Sequence, residues 1–545
     1  MNQVHPAVEL GGRARSEVLF AILLALFLGA LDQTIVGTAL PTIVRDLQGS
    51  TSLYTWAVTA YLLTSTIVIP IYGKLSDLYG RKPMLLIGVT LFLLGSALSG
   101  LSQDMTQLIV FRGIQGLGAG SLFPIALAVI GDLFTPAERG KYQGLFGAVF
   151  GVAAIIGPWL GGFLTEHVSW HWIFYINLPI GLLSMVVIWR VLPTVRREGA
   201  SRSFDYRGVG VFAAAVALLL VGLTNAQSTR DFAAWVSPEV GGLIALSAAL
   251  AALFLWIEVR TAEPIVPLGL FRNRTYAFAV ATNFLASFGF FGTIIFLPLW
   301  LQAVQGFSPT DSGWALLPML AGLIFASIAS GQLVSRSGRY KLLTSGALAW
   351  TALGVFLMTG LHGDTAYAPT LVFWMVVVGL GVGPTMPIFT LIVQNAVPFE
   401  KLGVATSNIT FLRQIGGTVG LALAGTVFGS SLTTELPRQL VSRGVPQEMV
   451  ERFAAQASDF GSTGGNLADT LAKFLPPEQV AAIVGGFNEA LSLAIANAFW
   501  VALVAVIVAF GTSLLIPELP LRRTTRAHEL ARTRAAALEA PARSE

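Results

Sequence analysis

The sequence contains no cysteine, and only 11% of its 545 residues are charged. The missing cysteines exclude a disulfide framework, thiolate chemistry and a cysteine-ligated metal site. Ordinary soluble domains are roughly 25% charged, so the composition argues against a soluble protein. The sequence also lacks a Walker A loop, a nucleophile elbow and a His-Glu-x-x-His pair. With five histidines and a net charge of +4, we expect no enzymatic activity, metal site or nucleic-acid partner.

Long apolar runs dominate instead, since 54% of the residues are hydrophobic. A membrane-spanning helix needs about 20 mostly apolar residues, and we count fourteen such segments. The first, 18–40, is too long for the core of a signal peptide and is expected to stay in the protein. The last two cover 403–431 and 489–516. The fold class predicted is an all-α polytopic membrane protein.

The positions of the basic residues predict the orientation of these segments. With the N-terminus inside, most of the 33 lysines and arginines fall in the inner loops and the C-terminal tail. Short inner loops are characteristically rich in Lys and Arg. We therefore expect both termini to be cytoplasmic, which agrees with an even number of spans.

A repeat divides the chain. The loop Gly73–Lys82 and the loop Gly331–Lys341 share the pattern of glycine, serine and basic residues, and each begins about 55 residues into its half. Parallel repeats of this kind place a substrate cavity between two halves. The expected organisation is an N-terminus (1–17), an N-terminal six-helix bundle (18–192), a linker with two additional helices (193–275), a C-terminal six-helix bundle (276–516) and a tail (517–545).

Asp32 places a carboxylate inside the first span. A charge at mid-helix costs roughly 2.5–3.5 kcal/mol on insertion scales, and intramembrane acids commonly mark ion or substrate pathways. Arg112 in the fourth span lies at a similar depth by the rise of 1.5 Å per residue. We expect Asp32 to bind a proton and Arg112 to control its pKa. The alternatives are an Asp32 that only joins helices and an Arg112 bonded only to backbone carbonyls.

Several segments resemble motifs of the major facilitator superfamily, in particular its fourteen-span drug:proton antiporters (the EmrB/QacA-like group). Gly73–Lys82 is similar to motif A and Arg112–Gly116 to motif B, while Leu31–Pro41 resembles the first-helix signature of the group. A further segment is similar to motif C, which marks antiporters. The residues that carry this resemblance are Gly147, Gly151, Gly157, Pro158, Gly161 and Gly162.

The resemblance implies a gating role for motif A. Gly73 and Gly80 are expected to allow a tight turn, and Asp77 to pair with Arg81 or to meet a helix N-terminus, with Asp132 as a third partner. Arg336 and Arg339 occupy the corresponding loop of the second half. An exposed ion pair stabilises by only about 0–1 kcal/mol, a magnitude suited to a latch that forms in one conformation and opens in another.

The function implied is proton-coupled export of hydrophobic or amphipathic compounds from a bacterial cytoplasm, with multidrug efflux as the leading form. It would run on the proton-motive force without a cofactor, in a monomer embedded in the inner (cytoplasmic) membrane. The alternatives are a lipid exporter of the same fold and a membrane sensor that no longer transports. Polar residues expected to line the cavity are Asn177, Asn283, Gln302, Gln394, Asn408 and Arg413.

One long loop, 432–488, is expected outside the membrane. Its pattern predicts short amphipathic helices, such as 446–457 and 477–487, that cap the outer vestibule, rest on the membrane surface or dock a partner. A neutral spacer is the remaining alternative.

Overall fold

The computed structural model describes residues 12–49, 51–192, 205–229, 231–261, 263–450, 471 and 475–521. The two ends of the chain, the link 193–204 and most of 451–474 lie outside these ranges, and with them the arginines of the tail and the predicted helix over 446–457 beyond Val450. The α-helices are α1 Gly12–Asp46, α2 Thr51–Tyr79, α3 Arg81–Ser99, α4 Met105–Leu133, α5 Pro136–His167, α6 Trp172–Tyr175, α7 Asn177–Val191, α8 Tyr206–Thr229, α9 Leu243–Arg260, α10 Arg274–Ala303, α11 Pro309–Ala315, α12 Leu317–Ser337, α13 Lys341–Met358, α14 Val372–Val382, α15 Thr385–Ala396, α16 Leu402–Ser442 and α17 Pro477–Leu514.

Fourteen helical segments of the described chain are long and apolar enough to cross a membrane, which confirms the predicted number. Three of them are built from two consecutive helices: α6 with α7, α11 with α12, and α14 with α15. Proline follows the breaks closely, at Pro318 after α11 and at Pro384 after α14. Because proline lacks a backbone N–H and clashes with the preceding turn, it favours a break at these points.

The spans form two bundles, α1–α7 and α10–α17, each with its own buried apolar core. The pair α8 and α9 packs against the seam between the bundles. There the ring of Phe212 on α8 lies 5.1 Å from that of Phe254 on α9 and 5.3 Å from that of Phe411 on α16. Leu63 and Ile67 of α2 belong to the same apolar cluster. The additional helices therefore lie beside α2 and α16, where the halves meet.

We call the side of the bundle that carries the α2–α3, α4–α5 and α12–α13 turns the basic face, after Arg81, Lys141 and Arg339. The other side is the opposite face. The α2–α3 turn is tight because Gly80, with φ of 100°, adopts a conformation that other residues rarely reach.

The long loop is much shorter than predicted. Helix α16 continues to Ser442 and α17 begins at Pro477, so the segment 477–487 is the first three turns of a membrane-spanning helix and not a separate one. The polar run Thr433-Thr434-Glu435 interrupts the hydropathy signal, but Leu432, Leu436 and Leu440 are buried at helical spacing. Val480, Ile483 and Phe487 pack into the same core. These apolar residues therefore extend the second bundle and do not contact a membrane surface.

Candidate functional site

Asp32 lies at the centre of a buried hydrogen-bond network inside the first bundle. Its side chain is 0% exposed and forms an ion pair with Arg112, whose Nη1 is 2.9 Å from Oδ2. Oδ1 accepts hydrogen bonds from Nε2 of Gln115 at 2.8 Å and from Nδ2 of Asn177 at 3.0 Å. Helices α1, α4 and α7 thus meet at one carboxylate. The predicted pairing is direct, and the alternative in which Arg112 contacts only carbonyls is wrong.

Arg112 is held from two further directions. Its Nη1 also donates to Oε1 of Gln115 at 2.8 Å, and its guanidinium carbon lies 4.1 Å from the centre of the Tyr61 ring. A buried ion pair offsets its desolvation only when its remaining polar groups are satisfied. Gln115, three residues after Arg112 on the same helix, meets part of this requirement, whereas Nε of Arg112 is buried without a hydrogen-bond partner among the described residues. Gln115 is absent from the predicted site residues, although a spacing of three residues on a helix brings side chains together and could have identified it.

A central cavity lies between the two bundles and is lined by residues of both. Phenylalanines form part of its wall, with ring centres 6.3 Å apart for Phe123 and Phe150 and 6.2 Å apart for Phe150 and Phe290. Polar groups reach the cavity from α1, α2, α10, α15 and α16: Gln33, Ser65, Asn283, Ser287, Thr385, Thr410, Arg413 and Gln414. Its largely apolar lining, with a few polar groups among the rings, is typical of a small-molecule site.

Two of the six polar residues predicted for the cavity line it, Asn283 and Arg413. The other four join helices elsewhere. Asn177 binds Asp32, and Gln302 donates to Ser312 at 2.9 Å. Asn408 is buried and donates to Tyr276 at 3.4 Å.

Gln394 joins the two bundles instead, between the cavity and the basic face. Its Oε1 accepts from Nε2 of Gln143 in the first bundle at 2.9 Å, and its Nε2 donates to the carbonyl of Leu127 at 3.0 Å. The sequence shows which residues inside a membrane-spanning helix are polar. It does not show whether such a side chain faces a cavity or a neighbouring helix. That is why these four positions were assigned wrongly.

Motif A forms a contact between the two bundles at the basic face. Arg81 pairs with Asp77 at 2.6 Å and, through Nε, with Asp132 at 2.9 Å. The carboxylate of Asp77 also accepts from the backbone N–H groups of Gly403 at 3.2 Å and Val404 at 2.9 Å. These N–H groups form the N-terminus of α16, where an anion is favoured.

The motif A cluster is buried, in contrast to the exposed pair assumed from the sequence. The side chains of Arg81 and Asp77 are 6% and 5% exposed. Removing one partner of a buried pair costs about 3–5 kcal/mol, well above the range for an exposed pair. Gly73 also differs from expectation, because it lies inside α2 and not in the turn. A Cβ there would lie 1.9 Å from Oγ of Ser407 on α16, so glycine permits the approach of the two bundles.

The second half makes a related but uncharged contact. Ser335, at the position that corresponds to Asp77, accepts from the backbone N–H of Lys141 on α5 at 3.1 Å. Arg336 and Arg339 are exposed, and no ion pair joins them to another residue of the described chain. The structure therefore gives them no gating contact in this conformation.

The motif C glycines lie where α5 packs closely. A Cβ at Gly147 would lie 2.2 Å from Oγ of Ser327 on α12, and one at Gly151 would lie 2.6 Å from Ile324. Gly157 meets Thr34 of α1 in the same manner, at 2.0 Å. One end of this stripe thus permits contact between the bundles, and the other permits contact within the first bundle.

No cluster of three or more metal-ligating side chains occurs among the described residues. The cavity, the Asp32 network and the contacts at the basic face are features of a membrane protein that binds small molecules between two halves.

Comparisons with known proteins agree with this architecture. A family model described as Major Facilitator Superfamily matches residues 22–421. Multidrug transporter protein MdtP of Bacillus subtilis is 40% identical over 87% of this chain and 86% of its own length. Multidrug resistance protein 3 of the same species is 35% identical over 93% and 96%. The tetracenomycin C resistance and export protein of Streptomyces glaucescens is 32% identical over 94% of each chain.

Among solved structures, the human organic anion transporter MFSD10 superposes with a TM-score of 0.57 at 15% identity, over 84% of this chain and 100% of its own. At that identity the likeness concerns the fold. The family match and the relatives together establish a multi-pass transporter of the cell membrane, and the chain belongs to the Major Facilitator Superfamily.

Proposed function

We propose that this protein exports hydrophobic or amphipathic compounds in exchange for protons, as a multidrug efflux transporter with its basic face in the cytoplasm. The observation that carries the proposal is the position of Asp32. It is fully buried and paired with Arg112, while the next residue, Gln33, lines the central cavity. A carboxylate one residue from a side chain that lines the central cavity is suited to coupling proton binding to transport.

The relatives support the type of cargo. Two are named for multidrug transport or resistance, and a third for resistance to and export of tetracenomycin C. The cavity agrees with such cargo, because its phenylalanine wall offers apolar contact and its polar groups are scattered over five helices. Each elementary charge that crosses the membrane supplies about 2.3 kcal/mol per 100 mV, so protons can drive export without a cofactor.

Coupling would proceed through the Asp32 network. Ionised Asp32 holds α1, α4 and α7 together through Arg112, Gln115 and Asn177. Protonation removes the charge that Arg112 pairs with and weakens these contacts. The conformational equilibrium of the bundles then responds to the proton, since a ligand shifts an equilibrium by its differential affinity for the two states.

Purified protein in proteoliposomes with an internal pH indicator tests the proposal. Addition of a lipophilic substrate should move protons in the wild type and in Asp46→Asn, and not in Asp32→Asn. Asp46 is the matched control because it lies on the same helix and accepts a hydrogen bond from Trp170 at 2.9 Å, away from the cavity. Equal proton movement with Asp32→Asn would refute the assignment of the proton site.

Lipid export is the second candidate, and an apolar groove favours it. Val68, Tyr72 and Leu75 of α2, Met84 and Leu91 of α3 and Leu117 of α4 line an opening on the surface of the first bundle. Such a groove offers acyl chains a place beside the bilayer. Transfer of a fluorescent lipid between leaflets, faster with a proton gradient than without it, would favour this candidate. Proton movement with a drug alone would favour the first.

A further inference from the structure

The central cavity contains an unneutralised cation. Arg413 of α16 is half-buried, lines the cavity, and makes no hydrogen bond or ion pair with any residue that the structure describes. Other arginines near the membrane interior are matched, Arg112 by Asp32 and Arg81 by Asp77 and Asp132. A guanidinium inside a membrane protein normally finds an anion or a carbonyl. Arg413 therefore has bonding capacity that the described protein leaves unused.

No carboxylate competes for that capacity. Among the described residues that line the cavity, none is Asp or Glu. The carboxylate nearest in sequence to a lining residue is that of Asp32, next to Gln33. Asp32 is 0% exposed and already accepts three hydrogen bonds. The cavity consequently carries a net positive charge.

The surroundings of Arg413 suit an acidic group on an aromatic body. Thr410 and Gln414 lie at helical spacing from each other beside it, and both line the cavity. Gln414 can donate through its amide to an oxyanion that Arg413 binds with two parallel hydrogen bonds. The phenylalanines Phe123, Phe150, Phe290 and Phe291 provide ring surfaces, with the last two 5.3 Å apart.

We propose that Arg413 is an anion-binding group, and that the substrates selected by this cavity are amphipathic aromatic compounds with an ionised acid, such as a carboxylate, sulfonate or acidic enol. This inference rests on the proposed function and specifies its substrate class. A neutral lipophilic compound can occupy the aromatic part of the cavity but leaves Arg413 unpaired. An organic cation is disfavoured, because the same charge repels it.

Two dyes with the same aromatic body test the inference. Anilinonaphthalene sulfonate carries an acid, whereas phenylnaphthylamine lacks it. Binding is measured by equilibrium dialysis with the full-length protein in phosphatidylcholine nanodiscs, against protein-free nanodiscs as background. We expect the wild type to bind the sulfonate and Arg413→Gln to bind it about tenfold or more weakly, as for the loss of a charge-assisted hydrogen bond. Affinity for the neutral dye should stay within about twofold.

Arg438→Gln is the matched control, because Arg438 lies on the same helix with its side chain 76% exposed, outside the cavity. Arg413→Lys keeps the charge and should retain more of the sulfonate affinity than Arg413→Gln does. If Arg413→Gln does not fold, the comparison of Arg413→Lys with the wild type decides, since it loses only the second parallel hydrogen bond and should bind the sulfonate two- to fivefold more weakly.

The inference is overturned if the wild type does not bind the sulfonate, or if Arg413→Gln binds it as tightly as the wild type. It is also overturned if phosphatidylglycerol in the nanodiscs displaces the dye, which would assign Arg413 to a lipid headgroup. Failure of the proposed function looks different: proteoliposomes would bind the sulfonate through Arg413 but export neither dye when a proton gradient is imposed. Export of the neutral dye alone would leave the function intact and refute the substrate class.

Discussion

Asp77→Asn tests whether motif A controls the conformation of the protein. The substitution preserves the size of the side chain and removes the charge that binds the N-terminus of α16. The pair of Arg81 with Asp132 at 2.9 Å is unaffected, so the first bundle should keep its fold. The substitution also removes the charge that pairs with Arg81 at 2.6 Å, so it acts both on this pair within the first bundle and on the contact between the two bundles.

The magnitude follows from the two hydrogen bonds that cross between the bundles, to Gly403 at 3.2 Å and Val404 at 2.9 Å. A hydrogen bond to a charged group contributes about 1.5–3 kcal/mol. An Asn oxygen can retain one neutral bond, so we take the net loss as about 1.5–3 kcal/mol. At 1.4 kcal/mol per factor of ten, the ratio of closed to open conformers at the basic face should fall roughly 10- to 100-fold.

Disulfide cross-linking measures this ratio without background, because the chain has no native cysteine. Cysteines at Lys141 and Arg336 would join the bundles at the basic face, where both residues are exposed and the Lys141 N–H binds Ser335. Cross-linking should be slower in Asp77→Asn. Asp104→Asn is the matched control, because Asp104 caps the N-terminus of α4 at 2.8 Å within one bundle. Equal cross-linking rates in wild type and Asp77→Asn would refute the latch.

Three further predictions follow from other contacts. Gly147→Val should abolish transport while Gly37→Ala has little effect, because a Cβ at Gly147 would lie 2.2 Å from Ser327 whereas one at Gly37 would meet nothing within 4 Å; substrate uptake by inverted vesicles checks this. Lys74→Met and Glu263→Gln should each lower the melting temperature, and the double variant should be little worse than either, since their charges pair at 2.5 Å with 7% and 20% exposure; additive losses would contradict this coupling. Replacing 440–480 by a short linker should unfold the second bundle, as seen by loss of the monodisperse peak in size-exclusion chromatography, because Leu440, Val445 and Val480 are buried in its core; a stable shortened protein would contradict that role.

Much of the architecture could be predicted from the sequence because membrane spans obey simple constraints. Every backbone polar group must be satisfied within the bilayer, so a run of about 20 apolar residues implies a helix. The number of spans follows from this. The pairing of Asp32 with Arg112 was also foreseeable, since the regular rise of a helix places two residues at the same depth. A charged residue inside a membrane-spanning helix needs a partner, and this limits the residues with which it can pair.

The remaining features of the fold and the site depend on contacts between residues far apart in the sequence, which local sequence patterns do not reveal. Asp77 binds backbone N–H groups of Gly403 and Val404, and no side-chain pattern marks those donors. Asn177 and Gln394 could not be assigned to a cavity or to a neighbouring helix, because both environments accept polar side chains. The length of α16 was underestimated since hydropathy ends where the helix leaves the apolar region, whereas helix packing continues through Leu440.

The proposed proton site and the proposed substrate cation belong to different bundles, and this separation restricts how the two can be coupled. Asp32 is enclosed by α1, α4 and α7 of the first bundle, whereas Arg413 extends into the cavity from α16 of the second. A substrate bound at Arg413 does not replace a partner of Asp32, so direct competition for one carboxylate does not account for exchange. Coupling then has to act through contacts between the bundles, and one of these is the contact that Asp77 makes with the N-terminus of α16. Because α16 carries both that N-terminus and Arg413, an anion that moves Arg413 also moves the residues to which the latch binds.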